Sequence, residues 1–271
     1  MNNLKIYCTT IKYFKVMDNL PDFIKPLGLS QTKYPSHWYD EKKFINISHL
    51  NKYYAEFTGF YTILKNFLNE FDNNDLIGNC HNRVLWLNNF YNKKQKFSPK
   101  SLYSELLKKN NPLIYEKDVV QVQPITFKNK NLLEDFREVH KNSSLDDCLS
   151  FLSKDLKKDF IKHLNGNMLF PHNMFITKKK YFIEYCNIIF PWLNNIMQYC
   201  NEKKICHGYN SRIPAFLGER FTSFWFNSFK KRGLLSYARL GKFHLSNKIN
   251  SITNTLRLPF TFAQYPSIHK F

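Results

Sequence analysis

The sequence predicts an α/β fold with more helix than a simple doubly wound sheet. Short β-prone apolar runs alternate with amphipathic helical segments along roughly the first 230 residues, which is the pattern of such folds. Hydrophobic residues make up 43% of the 271 residues, which is enough for a sizeable core and excludes a wholly disordered chain. We expect one large domain over residues 1–229 and a basic extension over residues 230–271.

The first part of the chain supplies two predicted strands and one long helix. Leu4–Cys8 has the apolar character of a buried first strand, and the following residues, to about position 40, are rich in Pro and should form loops. Apolar side chains recur at spacings of three and four through His49–Phe71, which predicts an amphipathic helix with Ser48 as its N-cap. Asp75–Cys80 is the second predicted strand, and the His and Arg that follow it stand where open α/β sheets place ligand groups.

The later part continues the alternation. The predicted elements are, in order, helix Ser101–Lys109, strand Val119–Val122, helix Ser144–Leu164, strands Met168–Phe170 and Met174–Thr177, helix Lys179–Tyr199 and helix Pro214–Phe229. Thr177 is the predicted cap of the helix that starts at Lys179, and Pro191 should kink or divide that helix.

The chain shows none of the usual marks of secretion or membrane insertion. Its start has no long apolar stretch, and no run of about 18 apolar residues occurs, so neither a signal peptide nor a transmembrane helix is expected. The six cysteines are scattered without a CxxC pair, which indicates reduced thiols in a cytoplasmic protein. Cys200, Cys206 and His207 have a poor spacing for zinc and lack a fourth ligand, so a zinc site is not favoured.

Four blocks of the sequence resemble a known family. They are the N-I-S-H-L-N…E-F-T…Y…K-N pattern of residues 46–66, D-L-I-G-N-C-H-N-R of residues 75–83, N-M-F-I of residues 173–176 followed by Tyr185-Cys186, and R-x-x-x-F-x-x-E-R of residues 212–220. In this order they are similar to the blocks of a bacterial glycosyltransferase family of capsule and O-antigen clusters, long described only as a domain of unknown function. Asn82 and Val84 depart from the family's second block, which has Tyr and a second Arg there.

The resemblance implies a GT-A-like, Rossmann-like mixed sheet flanked by helices. It also implies transfer of a sugar from a nucleotide-sugar donor, UDP-linked and with a galactofuranose-type sugar among the candidates, onto a growing capsular or lipopolysaccharide glycan. Many GT-A enzymes hold a divalent cation with an Asp-x-Asp loop, and no such tripeptide occurs here. We therefore expect no required metal cofactor, with Mg²⁺ or Mn²⁺ as the alternative. Arg83 is expected at the diphosphate, because a guanidinium binds phosphate oxygens in bidentate fashion.

The candidate catalytic residues are Glu219 as general base of an inverting reaction and His81 at the end of the second strand. Each has a structural alternative. Glu219 could form an ion pair with Arg220 or Arg212, His81 could be an ordinary polar residue, and Arg83 could pair with a structural carboxylate.

The other candidate site residues come from the same blocks, except His172, which stands just before the third block, after Pro171. The donor-binding candidates are Asn46, Ser48, Glu56, Tyr61, Lys65, Arg212 and Arg220, and the acceptor-binding candidates are His172 and Asn173. Short polar residues at a helix start suit a phosphate or sugar hydroxyl, yet they also serve as ordinary caps. Glu56 could instead pair with Lys65 or Arg83. Tyr61 also belongs to the apolar stripe, and the 172–173 pair also suits a turn.

The net charge of +19 and the pI near 9.6 suggest an anionic partner. Glu219 is the last acidic residue, so the C-terminal extension is purely basic. It would suit the anionic inner face of the cytoplasmic membrane, where a lipid-linked acceptor lies, or it is a solvated surface. A nucleic-acid-binding module is the competing class. No specific nucleic acid is expected, because the charge is spread along the chain and no zinc-finger or RNP-like motif occurs.

Overall fold

A mixed β-sheet lies at the centre of the computed structural model, which describes residues 3–30, 33–88, 104–140 and 145–229 and the backbone of 238–240 and 242–244. The strands are β1 (Leu4–Thr10), β2 (Ile24–Gly28), β3 (Tyr39–Asp40), β4 (Leu76–His81), β5 (Val84–Trp86), β6 (Val119–Val122), β7 (Ile125–Thr126), β8 (Met168–Leu169), β9 (Phe175–Lys178), β10 (Ala238–Leu240) and β11 (Lys242–His244). The predicted strands in the first and later parts of the chain are confirmed.

Within the described ranges the strand order of the main sheet is β10-β6-β9-β4-β1-β2-β3, with β5 joined to β4 and β11. β1 runs parallel to β2 and β4, whereas β9 is antiparallel to β4 and β6. β7 and β8 form a separate antiparallel pair. β10 and β11 belong to the predicted basic extension; their backbones pair with β6 and β5, and the rest of the extension lies outside the described residues.

Both faces of the sheet are covered. Along β1, Tyr7 packs into one apolar cluster, and Ile6 and Cys8 pack into another on the opposite face, because successive strand side chains alternate. Strands buried on both faces are near-continuously apolar, which is why β1 and β4 could be found from the sequence.

The helices are α1 (Asn51–Tyr54), α2 (Phe57–Asn66), α3 (Pro112–Tyr115), α4 (Leu132–Val139), α5 (Leu145–Ser150), α6 (Lys154–Leu164), α7 (Lys179–Glu202) and α8 (Ile213–Asn227). Short 3₁₀ turns occupy Lys15–Asn19, Glu41–Lys43, Ser48–Leu50, Leu68–Glu70 and Gly208–Arg212. The cluster that contains Tyr7 includes side chains of α2 and α4 to α8, and the opposite cluster includes residues of β5 and α3. The result is a sheet flanked by helices, as predicted.

The predicted helix His49–Phe71 is broken. Ala55 has φ of +49°, and the Asn51 side chain donates to Ala55 O and to Thr58 Oγ1 at 3.0 Å each, so the chain reorients between α1 and α2. Ser48 is not the cap: its backbone N–H donates to Asn46 Oδ1 at 3.0 Å. The polar side chains compete with the helical backbone for hydrogen bonds, which periodicity alone does not reveal.

Other predicted boundaries were also wrong. The segment before residue 40, expected to form loops, contains the strand β2. Pro26 is tolerated in this strand because the residues that hydrogen-bond to β1 are odd-numbered, as Phe23 and Leu29 show. The backbone nitrogen of Pro26 therefore faces away from β1, where no N–H is needed. The helix expected over Ser144–Leu164 is two helices, since Ser153 is extended and starts α6; Ser144 lies outside the described residues.

Two further helix predictions need correction, and one helix was missed. Thr177 does not cap α7, because its Oγ1 donates to Asp118 O at 2.8 Å, and Pro191 lies inside an undivided helix held by tertiary packing. Of the predicted Ser101–Lys109 helix, residues 101–103 lie outside the described residues and residues 104–105 are helical. Leu106 then forms a bridge with Leu87, so the helix does not continue to Lys109. α4 was missed despite the reciprocal capping box of Asn131 and Glu134.

Candidate active site

The sheet has a topological switch point between β1 and β4. From β1 the chain moves to β2 and β3 on one side, and it then returns to β4 on the other side of β1. In open α/β sheets, ligands bind in the crevice outside the carboxyl ends of the strands at such a point. Thr9 and Thr10 end β1 here, and Thr9 is in register with His81 at the end of β4. A shallow depression near Asn3 and Lys109 lies at the opposite, amino-terminal edge of β1.

A tight hairpin brings Arg83 to the edge of this crevice. Asn82 and Arg83 form the turn between β4 and β5, and the Asn82 N–H donates to Thr9 O at 3.0 Å. The Arg83 N–H donates to His81 Nδ1 at 3.3 Å. The Arg83 side chain is exposed, and among the described residues it has no carboxylate partner within ion-pair distance. Its guanidinium is therefore accessible to a ligand at the switch point.

The loop before β9 reaches the same edge, because β9 runs antiparallel to β4. His172 and Asn173 both have left-handed backbones, with φ of +70° and +50°. Such a conformation costs about 1–2 kcal/mol for a residue with a side chain, so the surroundings must hold it in place. The His172 ring lies edge-on to the His81 ring with their centroids 5.4 Å apart. The structure thus brings the predicted catalytic His81 against the predicted acceptor-binding loop.

Two carboxylates fix this loop. Glu219 Oε1, on α8, accepts from the His172 N–H at 2.6 Å, and Glu56 Oε1, between α1 and α2, accepts from Asn173 Nδ2 at 2.9 Å. Asn79 Nδ2, on β4, adds a bond to Asn173 O at 3.2 Å. Hydrogen bonds to ionised acceptors are the stronger kind, which explains how the left-handed pair is held.

Asn79 is a further candidate site residue, which was not predicted from the sequence. The available indication was an amide inside an otherwise apolar strand. Asn79 Oδ1 and Asn173 Oδ1 are buried and have no hydrogen-bond partner among the described residues. Buried polar atoms are usually paired, so these two oxygens mark a place where a water or a ligand group would complete the bonding.

The two arginines of the last motif have different surroundings. Arg220 is 5% exposed, and its Nη2 contacts Asp135 Oδ2 at 2.5 Å. Arg220 therefore pairs with Asp135 of α4. The alternative ion pair between Arg220 and Glu219 is not seen among the described residues. Arg212 is exposed and lies over the Phe216 ring at 5.3 Å.

The remaining candidates make their described contacts elsewhere. Asn46 closes its own turn through Ser48 N and Phe44 O. Tyr61 packs edge-on against Phe190 of α7 at 5.4 Å, and Lys65 lies over the Tyr61 ring. None of these contacts is with the His172–Asn173 loop.

No group of three or more His, Cys, Asp or Glu side chains in the described ranges is placed to hold a metal ion. No helix in those ranges is both long and apolar enough to pass through a bilayer.

Comparison with known proteins supports the fold. Residues 5–231 match a family described as a domain of unknown function (DUF4422). No curated protein sequence matches the chain. Among solved structures, the apo structure of the WbbM bifunctional glycosyltransferase superposes with a TM-score of 0.72 at 18% identity, over 91% of this chain and 46% of that one. The chain thus spans about half of that protein, and the likeness confirms the GT-A-like α/β fold.

Proposed function

The chain belongs to the DUF4422 family, and from this membership and its glycosyltransferase-like fold we propose that it transfers a sugar from a nucleotide-sugar donor to a glycan acceptor. We further propose a UDP-linked donor, with a galactofuranose-type sugar as one candidate, and a capsular or lipopolysaccharide acceptor. The observation that carries the proposal is the convergence of Arg83, His81, the His172–Asn173 loop and Glu219 at the carboxyl edge of β4, beside the switch point.

The donor would lie across the ends of β1 and β4. Sugar transfer leaves a diphosphate whose negative charge must be neutralised in the transition state. Arg83 lies in the turn after β4, is exposed and lacks a carboxylate partner among the described residues, which suits this task. We propose that this guanidinium, in place of a divalent metal, binds the leaving diphosphate.

Glu219 is the proposed general base. One of its oxygens is bonded to the His172 N–H, so the carboxylate is oriented towards the loop. The carboxylate would take the proton of the acceptor hydroxyl as the hydroxyl oxygen bonds to the anomeric carbon and the bond from this carbon to the diphosphate breaks. Attack from the face opposite the leaving group gives inversion. His81 would contact the reacting groups from the end of β4, and Glu56 and Asn79 would hold the loop.

The test is a screen of nucleotide sugars for UDP release with a panel of glycan acceptors, with and without EDTA. We expect turnover that survives EDTA. In Arg83→Ala, the loss of a charge-assisted contact worth about 1.5–3 kcal/mol should raise the donor KM by about ten- to a hundredfold. Arg137→Ala, which removes another exposed arginine, is the matched control.

Each result has a distinct meaning. Abolition by EDTA would refute the metal-independent reaction, and wild-type donor kinetics in Arg83→Ala would remove that residue from the site. Absence of nucleotide release with every donor would refute the transferase proposal itself.

We also propose a cytoplasmic location with docking on the anionic inner membrane face, supported by the net charge of +19. Co-sedimentation with vesicles containing anionic lipids, compared with neutral vesicles, tests this, and equal binding to both would contradict it.

A further inference from the structure

An exposed aromatic ring stands at the start of α8. Tyr209 lies in the 3₁₀ turn Gly208–Arg212 that leads into this helix, and it is 39% exposed. Large aromatic side chains are usually buried because of their apolar area, so a ring that remains partly exposed is a candidate contact surface.

Two neighbouring rings pack against Tyr209. The His140 ring lies nearly parallel to it with centroids 5.5 Å apart and an angle of 8°, and the centroid of Phe216 lies at 5.2 Å. The centroids of His140 and Phe216 are 4.7 Å apart, so the three rings form one aromatic cluster. Within this cluster Tyr209 remains 39% exposed.

The support is rigid. His140 is 2% exposed, and its Nδ1 lies 3.0 Å from Asn210 Oδ1, next to Tyr209 in the chain. Burial lowers the pKa of His140 to about 4, so this imidazole is neutral near pH 7 and packs as an uncharged ring. Tyr209 is therefore held in one orientation before any ligand arrives.

The aromatic platform formed by Tyr209, His140 and Phe216 is on the same face of α8 as the proposed base, Glu219. Arg212, Phe216 and Glu219 are spaced four and three residues apart, so they form one stripe along the helix. Burial raises the pKa of Tyr209, the charges of Arg212 and Arg220 oppose this shift, and those of Glu219 and Asp135 add to it. The exposed Arg212 guanidinium and the Tyr209–Phe216 ring pair thus lie at the start of the helix stripe that carries Glu219.

We propose that Tyr209 and Arg212 form the acceptor subsite, in which the apolar face of a sugar ring stacks on Tyr209 and its hydroxyls accept hydrogen bonds from Arg212. This rests on the proposed transferase function and names the part of the site that takes the acceptor. Sugar rings have an apolar C–H face and polar edges, which match a flat aromatic surface beside a multiple hydrogen-bond donor. A nucleobase would also stack, but the proposed diphosphate site is at the ends of β1 and β4, and Glu219 must approach the acceptor hydroxyl.

The experiment measures binding directly. Saturation-transfer difference NMR is recorded with methyl glycosides of galactose, glucose, mannose and N-acetylglucosamine, and UDP binding is followed by thermal shift. We expect at least one glycoside to bind the wild type. Tyr209→Ala should weaken it by about three- to tenfold, the range expected for one ring contact, while Tyr209→Phe retains it. Phe151→Ala is the matched control, since Phe151 is 38% exposed and packs edge-on against Tyr199, away from α8.

The outcomes separate this inference from the transferase proposal. Failure of every glycoside to bind, or equal binding by Tyr209→Ala, would overturn the subsite. Weaker UDP binding in Tyr209→Ala with unchanged glycoside binding would assign the ring to the donor instead and would also overturn it. Glycoside binding that needs Tyr209, in a protein that releases no nucleotide from any donor, would support the subsite while refuting the transferase.

Discussion

The substitution Glu219→Gln distinguishes a catalytic role of this residue from a structural one, because it changes the charge of the side chain and keeps its hydrogen-bond acceptor. Glutamine keeps an Oε1 that can accept from the His172 N–H, now 2.6 Å from the carboxylate, and removes only the proton-accepting charge. Replacing a charged acceptor by a neutral one should cost about 1 kcal/mol of stability, a shift of about 2–4 °C in Tm. Loss of a general base should lower kcat by about 10²- to 10⁴-fold, or about 2.7–5.5 kcal/mol of transition-state stabilisation.

The assay is kcat from UDP release at saturating donor and acceptor, with Tm and UDP binding measured on the same preparations. Glu138→Gln is the control, because this carboxylate on α4 is exposed and pairs with Lys130 at the surface. A variant within threefold of wild-type kcat would refute the role of Glu219 as base. A fall in kcat together with loss of UDP binding and a large fall in Tm would show that the residue is structural.

Two further predictions concern stability. Arg220→Met should cost about 1.5–3 kcal/mol in urea unfolding, because the Asp135 carboxylate loses its buried partner and keeps only Lys130, at 3.0 Å. Arg137→Met at an exposed pair should change stability by less than about 1 kcal/mol, and equal effects of the two variants would contradict this prediction. His140 has its pKa lowered from 6.5 to about 4, first by burial and then by the Arg220 charge, against opposing contributions from Asn210 and Asp135. Between pH 6.5 and 4 the unfolded state therefore binds a proton that the folded state does not, so stability should fall by up to about 3 kcal/mol as pH drops through this window. His140→Phe should flatten that part of the urea-derived stability curve, and an unchanged pH slope would refute the assignment.

The sequence was informative about the sheet because strands buried on both faces carry continuous apolar runs. Leu4–Thr10, Leu76–His81 and Phe175–Lys178 could be placed for that reason. The predicted helix boundaries were wrong where a side-chain hydrogen bond ended a helix that the hydrophobic periodicity would have continued. Asn51 ended α1 by bonding Ala55 O, and no hydrophobic spacing encodes that bond.

The sequence predicted most residues of the candidate site, but it did not predict the hydrogen bonds between them. The motif resemblance identified Glu56, Asn173 and Glu219, and His172 was predicted from its place after Pro171. Pairing each carboxylate with the loop required the fold, since Glu56 and Asn173 are 117 residues apart. Asn79 was missed because its neighbours are apolar and its bond to Asn173 O depends on how β4 and β9 align.

The most direct test of the account is a crystal structure of the protein with UDP. We expect the diphosphate in the crevice at the carboxyl ends of β1 and β4, with a phosphate oxygen within about 3 Å of the Arg83 guanidinium. A diphosphate bound at another edge of the sheet, out of reach of Arg83, would contradict it.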